Sequence, residues 1–169
     1  MSRRQFSLVR SQFSVLFLFV MALHSYAWGN DESQSATDEY HSEHGDHHFS
    51  VLVGDTFIDS IGEGATIGLD YEVRVSQFVG LGAVVEYAAG DLEAWTALAV
   101  ADLHITDQFI AQVGPGFERT KEHDLFVARF GLLYEFYIGD FTLSPQLHYD
   151  YHDGGQDAIV VGVAWGFSF

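Results

Sequence analysis

His148, Asp150 and His152 recur at every second position of the run LHYDYHD, a spacing that puts three side chains on one face of an extended strand. Two imidazoles flanking a carboxylate can orient one another for proton transfer or share a metal ion. The competing reading is a hydrogen-bond network in which the same groups satisfy each other. A second histidine set, His41, His44, His47 and His48, lies with Glu43 and Asp46 in and just beyond NDESQSATDEYHSEHGDH. Imidazole and carboxylate at such short spacing suit a divalent transition metal, although the run fixes no coordination geometry.

Charge narrows the other options. All 24 acidic residues lie beyond position 30, where Arg74, Arg119, Lys121 and Arg129 are the only fixed cations. So acidic a chain does not bind nucleic acid through phosphates, and it lacks the basic cluster that grips anionic lipid head groups. There is no cysteine, which removes disulfides and thiolate metal sites.

The elements that must position these groups begin after a targeting segment. Arg3, Arg4 and Arg10 precede the apolar run Ser14 to Leu23, and small residues follow at Ala27 and Gly29. This pattern predicts a signal peptide over 1–29, cleaved after Ala27 or Gly29, because the run is too short to cross a bilayer comfortably. Residues 30–48 read as an acidic, histidine-rich linker, almost free of aliphatics.

From Phe49 onward the pattern alternates. The last twelve residues place Ile159, Val161, Val163, Trp165, Phe167 and Phe169 on one face, against Ala158, Val160, Gly162, Ala164, Gly166 and Ser168 on the other. A soluble sandwich strand points large residues inward; here the small set reads as the inner one. Eight strands are predicted over 49–56, 64–74, 78–88, 94–105, 109–118, 125–138, 141–151 and 158–169, the first being short and weak. Tight turns at 75–77, 106–108 and 139–140 alternate with longer connections at 57–63, 89–93, 119–124 and 152–157. In barrels that cross the outer membrane, short turns face the periplasm, which puts both termini there. Pro115 and Pro145 fall inside strands and predict a bulge or an unpaired position at each.

Charges recur opposite the large apolar residues. The inner face is predicted to hold Asp70, Glu72, Arg74, Glu86, Asp102, His104, Glu118, Arg129, Glu135, His148 and Asp150. Arg129 and Glu86 lie at similar heights on their strands, which predicts an ion pair across the lumen. Arg74 with Glu72 or Glu135 would form a second cluster near the periplasmic end. Eight strands leave room only for side chains, so these groups read as a sealed plug.

The segment from Phe49 resembles the small eight-stranded bacterial outer-membrane β-barrel superfamily. GLGAVVEYAAGDLEAW, FGLLYEFYIGDFTLSPQLHYDY and DGGQDAIVVGVAWGFSF look like an uncharacterised family of such barrels. In VGVAWGFSF, Trp165, Phe167 and Phe169 resemble the signal read by barrel-assembly machinery. The resemblance implies an all-β, antiparallel up-and-down transmembrane barrel in contact with outer-membrane lipid and lipopolysaccharide. It names no activity, cofactor or oligomeric state. The expected role is structural or interactive in the envelope, with restricted ion or small-solute transport as the alternative. A lipid A-modifying hydrolase ranks lower: a deacylase family of small barrels uses a His-x-Ser pair, and here the comparable position reads His148-Tyr149-Asp150. A soluble lipid carrier would need the large apolar parity to face inward.

Overall fold

A computed structural model describes residues 46–59, 61–121, 123–154 and 156–169. The expected signal peptide and nearly all of the expected linker, including His41 and His44, lie outside these residues. The described strands are β1 His47–Ile58, β2 Gly62–Ser76, β3 Val79–Ala88, β4 Ala94–His104, β5 Phe109–Arg119, β6 Asp124–Tyr134, β7 Phe136–Ile138, β8 Phe141–His152 and β9 Ala158–Ser168. Successive strands pair antiparallel, and β1 also pairs with β9, which closes the sheet.

Nine segments make eight staves. β8 receives β6 along one half, with Leu133 opposite Gln146, and β7 along the other, with Phe136 opposite Leu143. The register is the same on both sides of the break, where Tyr134 faces Pro145, a residue with no N–H to donate. Pro115 has the same effect between β4 and β5: pairing lapses between Leu98–Gly116 and Ala101–Val113 and resumes unshifted. Both prolines therefore leave an unpaired position rather than a bulge. The register shift that does occur falls between Arg74 and Ser76.

β1 is longer than the sequence pattern suggests. It runs for 12 residues, and His47 and His48 belong to it rather than to a linker. His47 pairs with Val73 and His48 with Ser168, so backbone pairing, not apolar content, sets where the strand begins.

The staves are tilted. A circuit leaving β1 at His48 passes Glu72, Gly82, Val100, Arg129, Asp150 and Ala158 and returns to β1 at Ile58. A barrel closes with such a stagger when its strands lean by about 35–45° from the axis. Closure also pairs every strand on both sides, so no sheet edge is exposed to hydrocarbon.

Parity then sorts the side chains. Val53, Ile67, Leu69, Val85, Phe130, Leu132, Leu147, Ile159 and Trp165 are exposed on the outer surface, while the alternate positions are buried. A soluble carrier would show the reverse, so that reading is excluded by orientation. Near the termini Phe141 and Trp165 meet edge-on at 5.7 Å, and near the opposite rim Tyr87 and Trp95 lie 4.9 Å apart. The two aromatic groups fit belts at two membrane interfaces, with aliphatic residues between them. Trp165, Phe167 and Phe169 all lie on the outward face near the termini.

Inward glycines make room for the large interior groups. A methyl on Gly68 would fall 2.8 Å from Glu86 Cγ, one on Gly131 would collide with His148 Nδ1, and one on Gly80 would collide with the Glu72 carboxylate. The small parity is thus the floor on which the charged side chains rest.

Candidate functional site in the barrel lumen

Arg129 sits at mid-barrel with 1% of its surface exposed. β6 supplies it, and the β6–β8 register puts Asp150 directly opposite. Its Nη1 and Nη2 donate to Glu86 Oε1 and Oε2 at 2.5 and 2.7 Å, and its Nε and Nη2 donate to Asp150 Oδ1 and Oδ2 at 2.7 and 2.6 Å. Two carboxylates from β3 and β8 therefore grip one planar guanidinium bidentately, the geometry that Arg provides and Lys cannot. Height along the strands matches Arg129 with Glu86, whereas Asp150 is found as the second partner only through the β6–β8 register.

Toward the termini the interior carries a second cluster. Gln112 Nε2 donates to Asp70 Oδ2 at 3.1 Å and to Asp102 Oδ1 at 3.0 Å, tying two carboxylates through one amide. His104 Nε2 lies 2.8 Å from Glu72 Oε1, and Arg74 Nη2 lies 2.8 Å from His104 Nδ1. Arg74 Nε is 3.9 Å from Glu72, and the Arg74 side chain is 40% exposed. It therefore lies at the rim of the lumen beside Glu72, at the end where the sequence pattern puts their cluster. Glu135, at the break between β6 and β7, accepts from the Tyr137 hydroxyl at 2.9 Å.

At the opposite end Glu118 accepts from Thr96 Oγ1 at 3.2 Å and lies 3.3 Å from His152 Nε2. Above it an apolar cap of Ile58, Ala88, Leu92, Ala94 and Ala158 packs across the mouth. Leu92 comes from the β3–β4 loop, which turns with Gly90 at φ 73° and Glu93 at φ 43°. The interior is consequently less purely polar than the charge pattern suggests, since Val84, Leu98, Val100 and Val127 also pack within it.

His148, Asp150 and His152 do share the inner face, but each has a different partner. His148 Nε2 contacts Gln146 Oε1 at 2.9 Å, Asp150 is held by Arg129, and His152 faces Glu118. Both oxygens of Asp150 accept from the guanidinium, and neither His148 nor His152 hydrogen-bonds it. On β1, His47 Nδ1 contacts the Tyr71 hydroxyl at 2.8 Å and His48 Nε2 contacts Thr142 Oγ1 at 3.0 Å. As successive strand residues they point to opposite faces, so the two cannot share one ion. Among the described residues no three His, Asp or Glu side chains stand at metal-holding distances.

Gln112, Gln146, Thr96, Thr142 and Ser144 are buried interior groups that carry no charge to mark them in the sequence. A cavity remains between Asp70, Gln112, Arg129, Gln146 and His148, with about 10 Å³ of space for the centre of a water-sized occupant. That is room for roughly one water molecule.

No protein-family model matches the chain, and no curated protein matches it in sequence. Solved structures do. The N-terminal β-barrel domain of Pseudomonas aeruginosa OprF superposes with a TM-score of 0.56 at 12% identity, covering 75% of this chain and 100% of that domain. A protein from the de novo design of transmembrane β-barrels superposes at 0.51 with 16% identity, covering 74% and 98%. At this identity the likeness is one of fold. The chain is a closed eight-stranded antiparallel barrel, the fold of those transmembrane β-barrels, with paired charges in its interior.

Proposed function

We propose that this barrel resides in the bacterial outer membrane with both termini in the periplasm, and that it has a structural or interaction role there with a lumen that does not conduct. The observation that carries the reading is the four-bonded Arg129, which spans the interior between β3 and β8 at its midpoint. Below an apolar cap and with room for a single water, this arrangement supports a plug rather than a pore. The outer face supports lipid and lipopolysaccharide as its surroundings, and its terminal aromatics support delivery by the barrel-assembly machinery.

Absence of catalysis belongs to the same proposal. His148 and Asp150 are committed to Gln146 and Arg129, which leaves the strand without a base–orienter pair. Restricted transport is the second reading, favoured by interior carboxylates such as Asp70 and Asp102 that lack a cationic partner of their own. Planar-bilayer recording of the purified chain separates the two: the intact protein is expected to be silent, and exchange of Arg129 for alanine is expected to produce small openings. Discrete openings in the unaltered protein would reject the plug.

A further inference from the structure

Several buried side-chain atoms of the described residues have no hydrogen-bond partner, Ser144 Oγ and His152 Nδ1 among them, and three of them share one cavity. Asp70 Oδ1, Gln112 Oε1 and His148 Nδ1 are buried without a hydrogen-bond partner, and all three residues line the mid-lumen cavity. Their chemistry is fixed by what surrounds them. Gln112 Nε2 donates to Asp70 Oδ2 and Asp102 Oδ1, acceptors both, which leaves the amide oxygen over. His148 Nε2 faces the carbonyl oxygen of Gln146 and so carries the proton, which leaves Nδ1 a bare lone pair. Register puts Gln112, Gly131 and His148 on one rung, and the missing side chain of Gly131 lets the imidazole lie across toward Gln112.

We propose that this cavity binds one divalent transition-metal ion through Asp70 Oδ1, Gln112 Oε1 and His148 Nδ1. A water molecule donates two hydrogens and cannot satisfy three acceptors, whereas a cation of similar size can. The charge balance points the same way: Glu86 and Asp150 take up the guanidinium of Arg129, Asp70 and Asp102 are bridged only by the neutral amide of Gln112, and buried charge needs compensation. An imidazole nitrogen with oxygen donors selects first-row transition ions over calcium or magnesium. The outer contacts are also those of a metal site, since the ligating imidazole gives its other N–H to Gln146 and the ligating amide is oriented by two carboxylates. The third ligand is an amide, which counting only His, Asp and Glu overlooks.

The full-length chain, refolded into detergent with Co²⁺ and then passed through a chelating column, tests this. One ion per chain is expected to remain, with visible d–d absorption. His148→Gln and Asp70→Asn are each expected to lose it, while the paired exchange His41→Ala and His44→Ala keeps it. Heat-dependent gel migration reports that each variant is still a closed barrel. X-ray absorption at the cobalt edge of the unaltered protein needs no variant: an oxygen shell with a single imidazole is expected. No retained ion would mean a buried water only. Two or more imidazoles in the shell, or retention unchanged by His148→Gln, would place the metal elsewhere and overturn the proposal.

Discussion

Two arginines of this barrel make the same bond in opposite surroundings. Arg129 is wholly buried between Glu86 and Asp150, whereas Arg119, at the end of β5, holds Asp124 at 2.8 Å with its side chain 75% exposed. Water already solvates the second pair, so its partners lose little when they part. In the lumen no such substitute exists, and removing one partner strands the others' charge in a space they cannot leave. Location, not bond length, decides what each pair is worth. The exposed Lys121–Glu93 contact belongs with Arg119 in this respect.

That contrast can be broken in a graded series of refolding titrations into lipid vesicles. Arg129→Met leaves Glu86 and Asp150 facing each other and is expected to cost about 3–5 kcal/mol; adding Glu86→Gln and Asp150→Asn should recover most of it. If the single exchange proved as mild as a surface one, the buried cluster would not be the fastening described above. Leu69→Arg, at the middle of β2 on the outer face, is expected to cost about 2–4 kcal/mol in a bilayer, an effect a water-facing surface would not produce. Gly131→Ala presses a methyl into His148 and should cost about 1–3 kcal/mol. Arg119→Ala is expected to leave the unfolding midpoint unchanged, and a measurable loss there would erase the distinction between rim and interior.

The strands were legible because alternation has a period of two and the inner face excludes bulk. The terminal strand displays this directly: Gly162, Ala164 and Gly166 are buried while Trp165 and Phe167 are exposed. Strand ends were less legible. His47 and His48 resemble linker residues in composition, yet their backbone pairs with β2 and β9, and polar side chains near a barrel rim are no obstacle to that.

Within the lumen, charge marked the interior positions but not their partners. Glu86 and Arg129 could be matched by height because strand direction was known. Asp150 could not be separated from its neighbours His148 and His152 until the β6–β8 register set it opposite Arg129. Neutral groups such as Gln112 and Gln146 carry no charge signal, and only cross-lumen distances reveal what they bridge.

The seam between β1 and β9 joins the strands that lie furthest apart along the described chain. Every other stave can find its neighbour through a short connection, but this last one must wait for the whole sheet to curl. Until it does, two rows of backbone donors and acceptors face a medium that offers them nothing. Such long-range closure is slow to form. A partly wound barrel is therefore no resting state, and the molecule should arrive in the membrane as a single late, all-or-none event whose timing is set by that one zipper.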